Sequence, residues 1–134
     1  MRVQDVMTPC PHYIDSSASL DDALKKMNLQ EVRHLPVVKD GNLIGVLSER
    51  DAQLSQFVCK TTNYCPLVGE VCIGEIYSVP GETDVAEVAR VMAETKREYA
   101  IVVDAGDNVI GIFTTIDACR LVHLTMSEMK SLKA

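Results

Sequence analysis

Gly45-Val46-Leu47-Ser48-Glu49-Arg50-Asp51 returns later in the chain as Gly111-Ile112-Phe113-Thr114-Thr115-Ile116-Asp117. Each stretch is an apolar run ending in a hydroxyl residue, with an aspartate three residues on. Working outward, a shift of 65 positions aligns Val3 with Val68, Val6 with Val71, Met27 with Met92, Val37 with Val102 and Gly41 with Gly106. After one inserted residue near Asn108 the shift becomes 66, and Ile44, Gly45, Asp51 and Ala52 meet Ile110, Gly111, Asp117 and Ala118. Matches in one order along both halves mean an internal repeat. The chain reads as one unit of roughly 55 residues twice over: repeat 1 at 2–58, a linker at 59–67, repeat 2 at 68–124 and a tail at 125–134.

Both copies share one local grammar. Ser19, followed by Asp22, precedes apolar residues at Leu20, Ala23, Leu24 and Met27, the spacing of a capped amphipathic helix. Asp84 precedes Val85, Val88, Ala89 and Met92 in the same way. Runs at 34–39 and 42–47 flank Asp40-Gly41, and runs at 99–104 and 109–113 flank Ala105-Gly106-Asp107, which predicts two hairpins. Second helices follow at 48–58 and from Thr114 to about Met126, with short strands at 13–15 and 77–79 before the first helices. The fold class is therefore α/β (α+β): two pseudo-symmetric repeats, each strand-helix-strand-strand-helix. A unit of this size buries only about 60% of its unfolded surface alone. Packing the copies sheet to sheet would complete the core and leave two related clefts, a favoured place for ligands.

Composition narrows the function classes. The chain has 134 residues, 13 Lys plus Arg against 19 Asp plus Glu, a net charge of -6 and 47% apolar residues. The core must be aliphatic, since four Tyr and two Phe are the only aromatics. Residues 1–67 hold seven bases and eight acids, and 68–134 six bases and eleven acids, so neither half offers the basic surface that a nucleic-acid backbone requires. No apolar run approaches the roughly 20 residues of a membrane span, so a cytoplasmic protein with no membrane or nucleic-acid partner is expected. Five cysteines at 10, 59, 65, 72 and 119 form no CxxC pair, which points to reduced thiols rather than a disulfide framework. Cys10 with His12, or Cys59 with Cys65, would be half a metal site, in no recognised spacing. His12, His34 and His123 are dispersed and no nucleophile has a triad context, so no enzyme is expected.

Two readings fit the repeated turn. Capping alone explains a hydroxyl followed by an acid at the third helical position. The same groups also suit a nucleotide: free amides at a helix start attract phosphate, and a carboxylate accepts both hydroxyls of a ribose.

The doubled pattern, with Asp5-Val6-Met7-Thr8 opening the first unit, Arg33-His34-Leu35-Pro36-Val37-Val38 before the hairpin, and Gly45, Ser48, Asp51 and Gly111, Thr114, Asp117 at the helix starts, resembles a tandem pair of cystathionine β-synthase (CBS) domains, a Bateman module. The resemblance covers about residues 2–124. It implies a sensor that binds AMP, ADP, ATP or S-adenosylmethionine between the repeats and regulates a separate client protein. Under it, Asp51 and Asp117 grip ribose, Ser48 and Thr114 face ribose or phosphate, and Arg33, His34 and Arg50 contact phosphate. Ile14, Val79 and Pro36 flank adenine. The second copy departs from this pattern, with Glu98 in place of Arg33 and Ile116 in place of Arg50. The two clefts should differ in affinity, because a carboxylate repels phosphate. The alternative is a structural interaction module whose clefts are empty. The resemblance also implies a homodimer, for which Leu24, Met27, Phe57 and Leu121 are packing candidates within or between chains, and Met126, Met129 and Leu132 form a loose stripe in the tail.

Overall fold

The computed structural model describes residues 1–9 and 12–133. In chain order it contains a single 3-10 turn (Val3–Asp5), β1 (Thr8–Pro9), β2 (Ile14–Asp15), α1 (Leu20–Gln30), β3 (His34–Lys39), β4 (Asn42–Ser48) and α2 (Glu49–Thr62). There follow α3 (Val68–Val71), β5 (Ser78–Pro80), α4 (Val85–Thr95), β6 (Tyr99–Val103), β7 (Val109–Thr114) and α5 (Thr115–Lys133). The strand-helix-strand-strand-helix order is present in both halves.

One compact unit is His12–Ile76. Its sheet runs β2-β3-β4, with β2 parallel and β4 antiparallel to β3. Ser19 caps α1 by accepting the Asp22 amide at 3.1 Å, and Leu20, Ala23 and Met27 form the buried face. They close on Ile14, Leu35, Val37, Leu47, Ala52 and Val68. Met27 packs within this core, while Phe57 is exposed.

The other unit is Met1–Pro11 with Tyr77–Ala134, and its sheet runs β1-β7-β6-β5. Val3, Val79, Val85, Val88, Met92, Ala100, Val102 and Phe113 form its core, with Leu121 packed against it. Asp84 stands at the α4 N-cap, yet its side chain makes no capping hydrogen bond. Its carboxylate lies instead 3.6 Å from the amino group of Met1, and the main chains of Arg2 and Asp84 form an antiparallel bridge.

The compact units do not coincide with the sequence repeats, because each repeat's leading segment folds onto the other repeat. Val3, from the head of repeat 1, is fully buried among repeat 2 residues, and its amide donates to the Thr83 carbonyl at 2.8 Å. Val68, its partner in the repeat, is fully buried in the His12–Ile76 core, with its amide on the Ala18 carbonyl at 3.0 Å. Each apolar residue fills the same place in the opposite unit.

The inserted residue lies in the second hairpin. Asp40 (φ 52°) and Gly41 (φ 80°) make a two-residue turn with both angles positive, which suits the strand twist. Between β6 and β7 the longer loop is closed by Asp104, whose Oδ1 accepts the amides of Gly106 and Asn108 at 2.9 Å each. The Asn108 amide, then its side chain, hold the Asp104 carboxyl below its ordinary range. A depressed carboxylate contributes stability that is present above the unfolded-state pKa and is lost as pH falls through the folded one. The Gly106 and Asn108 amide resonances are therefore expected to titrate together, with a midpoint below the usual aspartate value, and Asp104→Asn should abolish that titration.

The cysteine expectation is corrected. Cys59 and Cys65 form a disulfide with their Cα atoms 4.5 Å apart. The helix expected to end at Val58 continues to Thr62, and Asn63, left-handed at φ 61°, turns the chain back so that the two side chains meet. Cys72 and Cys119 are free thiols, and burial pushes the Cys72 thiol up. Cys10 lies outside the described residues, among which no cluster of three metal-ligating side chains occurs. The second helix of repeat 2 also exceeds its expected end near Met126, since α5 runs to Lys133. From Val122 to Leu132 it is exposed throughout.

Candidate functional site

Each candidate turn is a strand that ends by capping a helix. In the His12–Ile76 unit, Ser48 is extended (φ -90°, ψ 152°) and its hydroxyl accepts the Asp51 amide at 3.0 Å. The Glu49 amide donates to the Arg33 carbonyl at 2.8 Å, and His34 lies opposite Ser48 in the β3–β4 register. Arg33, His34, Ser48 and Asp51 are thereby brought together by main-chain pairing. Arg50 is exposed one residue before Asp51 on α2, and Asp51 is half-buried.

Close approach of a third segment explains the glycine before this turn. Val46 and Ile73 exchange hydrogen bonds, N to O at 3.1 Å and 3.0 Å. A Cβ at Gly45 would stand 2.7 Å from the Ile73 carbonyl oxygen and 2.8 Å from the Cys72 sulfur. Gly45→Val should therefore push the 72–73 segment off β4 and cost about 1–3 kcal/mol, the range for overpacking. Chemical unfolding would measure that loss; an unshifted midpoint would contradict the packing.

The second turn uses the same frame with different chemistry. Thr114 lies opposite Tyr99, and the Thr115 amide donates to the Glu98 carbonyl at 3.0 Å. Asp117 is only 4% exposed. Its Oδ2 accepts the Thr114 amide at 2.9 Å and the Thr114 hydroxyl at 3.1 Å, while the Thr114 hydroxyl receives the Asp117 amide at 3.3 Å. Its Oδ1 accepts the Thr8 hydroxyl at 2.8 Å and an Arg120 N–H at 3.1 Å. Sequence reasoning quoted Thr8 as part of a motif without a role and missed Arg120. The signal lay in the alignment, which matches Thr8 with Ile73 and Arg120 with Leu54, but it acquires meaning only once the leading segments are seen to cross over.

The three residues expected beside adenine are all buried, Ile14 and Val79 within their units' cores. Ile14 is 7% exposed opposite Val37, Pro36 is fully buried in β3, and Val79 is 6% exposed opposite Val102. Ile14 and Pro36 belong to one unit and Val79 to the other. Ile14 and Val79 share the helix-facing side of their sheets with the cores, whereas Pro36, between the core residues Leu35 and Val37, lies on the opposite face of its sheet by strand alternation.

No helix among the described residues is long and apolar enough to cross a membrane. A groove along α5, lined by Val122, His123, Met126, Ser127, Met129 and Lys130, contains none of the turn residues.

Comparison with known proteins follows the same repeat. The CBS domain model matches residues 3–53 and 68–124. The "CBS domain-containing protein CBSX2, chloroplastic" of Arabidopsis thaliana is 30% identical over 143 aligned positions, covering 84% of this chain and 59% of the relative. The crystal structure of CBSX2 in complex with AMP superposes with a TM-score of 0.77 at 32% identity, covering 93% of this chain and 98% of that one. The CBS domain pair of protein MJ0100, in complex with 5′-methylthioadenosine and S-adenosyl-L-methionine, gives a TM-score of 0.80 at 25% identity over 93% of this chain and 98% of that one. Inosine-5′-monophosphate dehydrogenase of Thermoplasma acidophilum is 26% identical over 86% of this chain. This chain spans 21% of that enzyme's length. Two family matches in register with the internal repeat, and two solved CBS pairs with the same fold, establish that this chain belongs to the CBS domain family, as a tandem pair.

Proposed function

We propose that this chain is a non-catalytic, cytoplasmic sensor of adenosine-containing ligands that acts on a separate client protein. The observation that carries the reading is the Ser48–Asp51 turn: a half-buried carboxylate at the start of a 14-residue helix, with no side-chain partner among the described residues, next to exposed Arg50 in sequence and joined to the Arg33 main chain through Glu49. Ribose hydroxyls suit that carboxylate, and the two guanidinium groups with the helix dipole suit a 5′-phosphate. Solved relatives with AMP, 5′-methylthioadenosine and S-adenosyl-L-methionine support the ligand class. Calorimetric titration with AMP, ATP and S-adenosylmethionine tests it: saturable heat is expected from at least one, and none from any would leave an interaction module.

The sensor works as a homodimer. Support comes from the exposed apolar side chains Leu54, Phe57 and Val58 grouped on α2 and Val122, Met126 and Met129 grouped on α5, since grouped apolar exposure marks interaction surfaces. On α5, Val122, Met126 and Met129 recur at a spacing that lines one helix face. Sedimentation should give a dimer mass at micromolar concentration, and a monomer there would refute the pairing.

A further inference from the structure

The two turns are related by the repeat, yet their carboxylates meet opposite circumstances. Thr8 and Ile73 occupy one structural place: Thr8 lies opposite Ile112 beside β7, and Ile73 bridges Val46 beside β4. Val46 and Ile112 themselves coincide under the 66-residue shift. From that place Thr8 gives its hydroxyl to Asp117 at 2.8 Å, whereas isoleucine has no hydroxyl to give. One turn along α5 the Arg120 guanidinium reaches the same oxygen at 3.1 Å, whereas its counterpart on α2 is Leu54, 57% exposed. A carboxylate offers about four acceptor positions. Asp117 has all of them filled, by Thr8, Arg120 and the amide and hydroxyl of Thr114, at 4% exposure.

We propose that Thr8 and Arg120 close the second turn to adenosine ligands, so that Asp117 ties the leading segment to α5 and the chain takes up one ligand, at Asp51. The inference rests on the adenosine reading only for its count of sites; the tie stands on geometry alone. Two ribose hydroxyls can approach Asp117 only by displacing a hydroxyl donor and a charge-assisted pair already in place. The neighbourhood gives little in return. Glu98 stands where the open turn has Arg33, Ile116 stands where it has Arg50, and Arg120 is engaged. Thr8 and Arg120 thus set how many ligands the module holds.

The test transplants the open turn's residues into the closed one. 5′-Methylthioadenosine is the probe, since it carries no phosphate for Glu98 to repel. The unmodified chain is expected to bind one molecule per chain, Asp117→Asn to retain that site, and Thr8→Ile with Arg120→Leu to raise the count to two. Thr8→Val with Arg120→Gln serves if the first pair folds poorly. A count of two in the unmodified chain, loss of its site in Asp117→Asn, or a count that stays at one in the exchanged variants would overturn the proposal. Independently of any ligand, Asp117→Asn should lower Tm by several degrees and speed amide exchange at Val3, Gln4 and Met7, while Asp51→Asn lowers Tm by much less and leaves that exchange unchanged. Absence of heat from the unmodified chain would refute the adenosine reading, and this stability pair then decides the tie. Equal Tm and equal exchange in the two variants would overturn it.

Discussion

Asp51→Ala is expected to weaken binding of AMP by about 10- to 100-fold without unfolding the protein. A hydrogen bond to a charged group contributes about 1.5–3 kcal/mol, and each 1.4 kcal/mol is a factor of ten. The stability cost stays small for a local reason. Ser48 caps α2 by accepting the Asp51 main-chain amide, which alanine retains, so only the favourable interaction of an acid with the helix dipole is lost, about 0.3–1 kcal/mol. Titration calorimetry and thermal unfolding on the same sample separate the two effects. An unchanged Kd would remove Asp51 from the binding surface; a collapse in Tm with lost binding would make it a structural residue.

Phe113→Ala should produce the largest loss of stability. Phe113 is the largest fully buried side chain and lies in the core that joins Val3, Val79, Val88 and Val102. Truncating a buried phenylalanine costs about 3–5 kcal/mol, against a total of about 5–15 kcal/mol for a typical domain. The urea midpoint should fall accordingly. Leu47, the equivalent residue of the other unit and also fully buried, gives an internal control, since leucine truncation costs about 2–5 kcal/mol. A Phe113→Ala protein as stable as the Leu47→Ala protein would mean that the pocket around residue 113 collapses on truncation.

Much of this architecture is legible in residues. Alternating β-branched runs around Asp40-Gly41 fix a hairpin by local sterics, and Ser19 and Ser48 announce their helices because a cap is a short-range hydrogen bond. What the repeat hides is non-local. Val3 aligns with Val68, so both are read as the start of their own repeat, although each is buried in the other unit. Asp117 aligns with Asp51, so both are read as ribose acids, although the groups that fill Asp117 come in part from residue 8, more than a hundred positions away. Cys59 and Cys65 read as reduced thiols because five cysteines in no CxxC pair suggest no disulfide framework; their meeting depends on the helix end, set by where a left-handed residue is tolerated, here Asn63. The proximity of Ser48, Asp51, Arg33 and His34 is legible in the sequence, because one hairpin register and one helix cap join them. Ile14, Val79 and Pro36 are buried strand residues, and apolar strand residues look alike in sequence whether they meet a ligand or a core.

The crossover of leading segments decides where this chain can be cut. A fragment ending in the linker carries Val3 without its burial partners and forgoes Val68, so it has an orphaned apolar head and a hole in its core. Residues 12–76, by contrast, are an uninterrupted stretch that contains the whole of one core. Expression of 12–76 should yield a soluble fragment with cooperative unfolding, and expression of 1–58 should not. Any gene fusion that borrows half of this module should therefore take its ends from positions 12 and 76 rather than from the spacer between the repeats.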